Sequence, residues 1–141
     1  MVWMITVHKG FIRSILEGEK TVEVRTRIPH SLNIGDVLLF CQSGNGNNVR
    51  LRAYVGGIIK TTPGIMFGNF FKQIQLNYLA YDDYTKTSLW VYGIMLSDVK
   101  PFDCPTSLLG IDKNPQWFRR VNTRLFEKQC DYKEPTTLLW R

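Results

Sequence analysis

The sequence predicts a single α+β domain built from mixed strands and short helices. Its length of 141 residues lies within the usual range for one domain. Some segments alternate apolar and polar residues, which indicates strands, and others repeat apolar residues at steps of three and four, which indicates helices. No internal repeat, low-complexity tract or linker divides the chain. We therefore expect one domain over residues 1–141.

The N-terminal part predicts a strand, a helix and a second strand. Residues 2–7 form an apolar strand, and residues 11–17 form a short helix that ends at Gly18. Residues 21–27 then alternate, with Val22 and Val24 on one face and polar side chains on the other. We expect that strand to bury one face only.

The rest of the chain continues the mixture of strands and helices. A turn at residues 33–36 precedes a strand over 37–41, and a Gly/Asn-rich loop leads into a long strand over 49–60. Apolar residues spaced by three and four predict a helix over 67–81, followed by a strand over 88–96. Asn114-Pro115 is a good helix start, so we expect a last helix to about residue 128. An edge strand over 135–141 completes the prediction.

Composition favours a basic protein of a reducing compartment. Eighteen Lys and Arg against twelve Asp and Glu give a net charge of +6, which attracts polyanions. Three widely spaced cysteines do not make a disulfide framework, so we expect a cytoplasmic location. The start resembles no signal peptide, and no apolar run is long enough to span a membrane. No metal-ligand spacing or cofactor motif is present, so we expect neither a metal nor a cofactor.

The charged residues of the second predicted strand form the main candidate site. Lys20 stands at the bend before it, and Glu23 and Arg25 lie two residues apart, about 7 Å along a strand. An acid between two cations stays ionised and orients both. Such a cluster suits a phosphate or the edge of a base, although a solvated strand face with weak ion pairs would have the same pattern.

The same stretch resembles a known family. The pattern Leu16-x-Gly18-x-Lys20-Thr21-x-Glu23-x-Arg25, followed by Ile34-Gly35-Asp36-Val37-Leu38, is similar to the signature of ASCH domains, over about residues 5–60. Those are PUA-like β-barrels related to EVE and YTH domains. The resemblance implies a small mixed β-barrel with short flanking helices, and a cleft with Lys20, Glu23 and Arg25 at its floor.

The resemblance also implies two classes of function. One is an RNA- or nucleotide-binding module, which we prefer, in which Lys20, Thr21, Glu23 and Arg25 contact the ligand. The alternative is a hydrolase, either a ribonuclease or an amidohydrolase on modified nucleosides, with Lys20 and Glu23 as catalytic residues. In the amidohydrolase pattern a threonine lies three residues after the lysine. Here that position is Glu23, and Thr21, which directly follows Lys20, points to the face opposite to Lys20.

The sequence offers two further candidate site residues and one expectation about stability. Trp117 and Arg120, on the predicted last helix, are candidates for base stacking and phosphate contact. If Lys20 and Arg25 serve binding alone, replacing either by alanine should cost about 1 kcal/mol or less, whereas Val24→Ala should cost about 2 kcal/mol. The sequence does not indicate the oligomeric state or the identity of the ligand.

Overall fold

The fold is a mixed sheet with helices on both faces, as seen in a computed structural model that describes residues 1–44 and 46–133. The elements in chain order are β1 (Val2–Val7), α1 (Lys9–Leu16), β2 (Val22–Arg25), β3 (Val37–Gln42), β4 (Asn48–Thr61), α2 (Pro63–Ile74), α3 (Tyr78–Thr85), β5 (Val91–Pro105), a 3₁₀ turn (Thr106–Leu109), β6 (Arg119–Val121) and α4 (Thr123–Lys133). The predicted α+β class is confirmed. The strand predicted over 135–141 lies outside the described residues.

The six strands lie in the order β2-β5-β4-β3-β1-β6. Strands β1 and β3 are parallel, and each of the other neighbouring pairs is antiparallel. The sheet is not closed into a barrel, because β2 and β6 form its two edges in the described part of the chain. The predicted barrel is thus present only as an open sheet.

This open sheet nevertheless curls strongly. Four strand-to-strand steps separate β2 from β1, which would be about 19 Å in a flat sheet. Instead, Arg25 Nη2 on β2 donates a hydrogen bond to Thr6 O on β1, 3.2 Å away. Register shifts in the pairings of β4 with β3 and β5 supply curvature, since bulges bend and twist a strand. The two strands therefore face each other across the open side of the sheet.

Alternation along the strands separates the core into layers. Successive residues of β1 point to opposite faces, so Trp3, Ile5 and Val7 join the cluster under α1, while Val2 and Met4 join the cluster under α4. A third cluster packs β2 against α2 and α3; its buried members are Val22, Val24, Met66, Ile74, Tyr81 and Val91. No helix among the described residues has the length and apolar character needed to cross a bilayer.

The single helix predicted over 67–81 is two helices. Helix α2 begins earlier than expected, at Pro63, with Thr62 as its N-cap. It ends at Gln75, whose φ of 61° is left-handed. Helix α3 then starts anew because the Asn77 side chain accepts a hydrogen bond from Ala80 N. The periodicity of the apolar residues continues across this break, which is why it predicts one helix.

The helix predicted from residue 114 is wrong at its start. Asn114 is not a helix cap: its Nδ2 donates to Gln42 O and Gly46 O, which ties it to the β3–β4 hairpin. Residues 119–121 form β6 and pair with residues 2–4 of β1. Helix α4 starts at Thr123, and the Asn122 side chain accepts a hydrogen bond from Leu125 N. Pairing with the edge of β1 overrides the local helix signal.

Candidate functional site

A cavity of about 280 Å³ opens between β1, β2 and helix α3. It lies on the open side of the curled sheet. Its lining residues are Thr6, Val7, His8, Lys20, Glu23, Val24, Arg25, Leu76, Ala80 and Tyr84. The strand curl brings residues 6–8 beside residues 20–25, so Lys20, Glu23 and Arg25 do line one common cavity.

Lys20 is the most deeply buried charged group of this cavity. Only 2% of its surface is exposed. Its Nζ donates to Ile74 O at 2.7 Å and to Val22 O at 3.1 Å, and it lies 3.5 Å from Glu23 Oε1. The ring of Phe11 covers it, with the Nζ 4.6 Å from the ring centroid. Lys20 thus joins the end of α2 to β2.

Burial and charge act on Lys20 in opposite directions. Burial disfavours the ammonium and lowers the pKa of Lys20, while the neighbouring carboxylate of Glu23 raises it and the Arg25 guanidinium lowers it further. The net result is a pKa below the ordinary value for lysine. Burial of Lys20 is inconsistent with the alternative of a solvated strand face. It also removes the basis for expecting that Lys20→Ala costs little stability.

Glu23 connects the two cations. Arg25 Nε donates to Glu23 Oε2 at 2.7 Å, and Lys20 approaches the other carboxylate oxygen. The Glu23 side chain is 8% exposed and that of Arg25 is 14% exposed. Strand β2 is therefore buried on both faces: its valines face α2 and α3, while Glu23 faces the cavity. Such a pair holds the guanidinium plane in one orientation.

The other predicted site residues lie outside this cavity. Thr21 has its backbone bonded to Gln73 O and Leu96 N, between α2 and β5. Trp117 lines a neighbouring cavity with Arg27 and Tyr92. Arg120 is an exposed residue of β6 and lies over the ring of Trp3, with its Cζ 5.6 Å from the centroid. The ring centroid of Phe118 lies 5.6 Å from Arg25 Cζ and 5.4 Å from the ring centroid of Trp117. Phe118 therefore contacts one lining residue of each cavity.

Sequence reasoning missed three polar residues of the cavity: Thr6, His8 and Tyr84. Thr6 and His8 are at the end of β1, and their only sequence signal is that a polar residue interrupts an apolar strand there. Tyr84, 45% exposed, lies on α3 and has no sequence signal pointing to the cavity. Among the described residues, no three His, Cys, Asp or Glu side chains come together as metal ligands.

The family comparison is decisive for classification. The model of the ASCH domain matches residues 5–102, about two thirds of the chain. The chain belongs to the ASCH domain family. The predicted resemblance is confirmed, and the match extends well beyond the N-terminal stretch that carried it. ASCH domains are PUA-like and are generally thought to bind RNA.

Solved structures show the same fold. The ASCH protein from Zymomonas mobilis superposes with a TM-score of 0.82 at 20% identity, covering 90% of this chain and 92% of its own. A serine-to-alanine variant of that protein gives a TM-score of 0.84 at 19% identity, covering 93% and 95%. A structure described only as a hypothetical protein reaches a TM-score of 0.54 at 17% identity, covering 72% of this chain and 100% of its own. No curated protein matches this ASCH chain significantly.

Proposed function

We propose that this ASCH domain binds RNA or a nucleotide through the cavity around Lys20, Glu23 and Arg25. The observation that carries the proposal is the guanidinium of Arg25. Two of its five N–H groups donate to protein acceptors, Glu23 Oε2 and Thr6 O, among the described residues. The remaining N–H donors belong to a guanidinium that lines the cavity, and the Glu23 carboxylate fixes its orientation. A fixed guanidinium with donors to spare suits a phosphate oxygen pair.

In this proposal Lys20 positions the site rather than touching the ligand. Its ammonium is directed at two backbone carbonyls and at Glu23. The positive charge still contributes to the potential of the cavity, because burial weakens screening by solvent. Lys20 fixes Glu23, and Glu23 fixes Arg25. In this proposal, Lys20 and Glu23 position Arg25, and Arg25 contacts the ligand.

The remaining walls suit a base. The half-exposed ring of Tyr84 offers a stacking surface, and Leu76 adds an apolar wall. Thr6 and His8 place polar side chains at the same opening. The Thr6 hydroxyl already donates to Pro115 O at 2.7 Å, which leaves its oxygen as an acceptor. A nucleotide would set its phosphate on Arg25 and its base towards α3.

The hydrolytic alternative requires Glu23 or Lys20 to move a proton. Glu23 has a cation on each carboxylate oxygen, at 2.7 Å and 3.5 Å. A general base must instead reach a proton of the substrate or of an attacking water. The contacts of Glu23 thus favour a positioning role over that of a general base.

The test is binding of single-stranded RNA to the wild type and to two matched variants. Arg25→Gln removes the proposed phosphate contact, and Arg124→Gln makes the same change of charge on the exposed surface of α4. Fluorescence anisotropy with a labelled oligouridylate at several salt concentrations measures affinity. We expect Arg25→Gln to weaken binding by at least about tenfold, since a hydrogen bond to a charged group contributes about 1.5–3 kcal/mol. The slope of log affinity against log salt should fall by about 0.7.

Arg124→Gln should bind like the wild type. Thermal melts of all three proteins verify that the variants are folded. Equal affinities for Arg25→Gln and Arg124→Gln would contradict a specific contact at Arg25. Absence of binding even at low salt would remove the RNA assignment itself.

A further inference from the structure

A band of aromatic and basic side chains lies beside the cavity at the open end of the curled sheet. Its members are Arg27, Lys60, Trp90, Tyr92 and Trp117. Residues Arg25, Tyr92 and Lys60 are register partners on the adjacent strands β2, β5 and β4. Paired residues of antiparallel strands point to the same face, so the band continues directly from the cavity wall.

Within the band, cations alternate with rings. The Nζ of Lys60 lies 5.3 Å from the ring centroid of Trp90 and 5.8 Å from that of Tyr92. Arg27 Cζ lies 5.6 Å from the ring of Trp117. Trp117 Nε1 also donates to Arg27 O at 3.4 Å, which holds the indole beside the segment that follows β2. Cation–π contacts of this kind orient both partners.

The rings remain accessible, and the structure shows no ion pair for the cations of the band among the residues that it describes. Trp90 is 45% exposed and Trp117 is 41% exposed. Within the part of the chain that the structure describes, neither Arg27 nor Lys60 forms an ion pair with a carboxylate. Tyr92, Arg27 and Trp117 line a second cavity of about 280 Å³ that contains no acidic residue. Large exposed rings with unneutralised positive charge are complementary to stacked bases and phosphates.

We propose that this band is a second subsite, which stacks bases of a single-stranded oligonucleotide whose neighbouring phosphate occupies Arg25. The inference rests on the function proposed above and goes further, because it identifies the ligand as a single strand of at least two nucleotides rather than a free nucleotide. Strand β2 ends at Arg25, and Arg27 follows shortly after it beside Trp117, so a second cation and a ring lie next to the proposed phosphate contact.

The subsite predicts that affinity depends on ligand length. Calorimetry with uridine monophosphate and with a uridine hexamer compares one nucleotide with several. The wild type should bind the hexamer at least about tenfold more tightly, since each base stacked on an aromatic side chain adds roughly a factor of five or more. Quenching of tryptophan fluorescence by the hexamer, and not by the monophosphate, should accompany this difference.

Variants assign the effect to the band. Trp90→Leu and Lys60→Gln alter exposed residues, so both should fold, and each should weaken hexamer binding about fivefold or more. Neither should change the affinity for uridine monophosphate. Arg124→Gln is the control for charge. Arg25→Gln, in contrast, should weaken both ligands, which separates failure of the subsite from failure of the primary cavity.

Three outcomes would overturn the inference. The first is equal affinity of the wild type for the hexamer and the monophosphate. The second is unchanged hexamer binding in Trp90→Leu and Lys60→Gln. The third is competition by an RNA duplex, whose bases are already stacked, as strong as that by the single strand, which would show that charge alone attracts the ligand.

Discussion

Replacing Lys20 by alanine should destabilise the domain strongly, although its place in the sequence suggests a surface residue. The substitution removes the donor for Ile74 O and Val22 O, and it removes three buried methylenes. Two hydrogen bonds at about 1 kcal/mol each and three methylenes at about 0.8 kcal/mol each indicate a loss of about 4 kcal/mol. Relief from burying the ammonium returns part of this, so we expect about 3 kcal/mol.

Thermal and urea unfolding followed by circular dichroism test this value. A loss of about 3 kcal/mol lowers the Tm of a domain of this size by roughly 10 °C. Lys20→Met keeps most of the buried stem and isolates the polar contribution, so its Tm should lie between those of the wild type and Lys20→Ala. Arg124→Ala, on the exposed surface of α4, should change stability by less than about 0.5 kcal/mol. If Lys20→Ala melts within about 2 °C of Arg124→Ala, the proposed anchoring role is refuted.

Three other predictions follow from the structure. Burial raises the pKa of Asp36, but hydrogen bonds from the Asn33 backbone and Trp3, with the N-terminal ammonium, outweigh it and leave that pKa below its usual value. A lowered folded-state pKa adds stability that is fully present above the unfolded pKa of about 3.9, so the difference in urea midpoint between the wild type and Asp36→Asn should shrink as the pH falls below about 4 and through the lower folded-state pKa. Gly93→Ala would place its Cβ 2.8 Å from Met66 Cε, which should cost about 1–2 kcal/mol, and Met66→Ala should remove that cost in a double-mutant cycle. Neither the wild type nor Glu23→Gln should convert acylated cytidine or RNA, as followed by product chromatography. Wild-type turnover that disappears in Glu23→Gln would show that the protein is an enzyme.

Much of the fold was predictable because it depends on local periodicity. Apolar runs correctly predict β1 and β3, alternation correctly predicts β2, and the Gly/Asn-rich loop correctly predicts the hairpin that leads from β3 into β4. Helix α1 was predicted to within two residues of its ends. The errors arise where a longer-range contact competes with local preference. Asn114 has the sequence context of a helix cap, but its side chain is bound to the β3–β4 hairpin.

The candidate site divides in the same way. The spacing of Lys20, Glu23 and Arg25 indicates a charged cluster, because residues two apart on a strand share a face. The family pattern adds that these three line a cleft, and they do line one cavity. Spacing does not indicate which of the three is buried, since burial depends on what packs over β2. That is decided by α2, whose last carbonyl accepts from Lys20, and by Phe11.

By itself, the sequence determined the α+β class, the ASCH family and the positions of the charged triplet, because each depends on residues close together in the chain. Tertiary structure alone decided what that triplet faces. Curling of the sheet brings β1 to β2 across four strand steps, so Thr6 accepts from Arg25 and the cavity forms between them. Strand register aligns Lys60 and Tyr92 with Arg25, from strands more than thirty residues away in sequence. Register and curvature are properties of the whole sheet, and no local pattern encodes them.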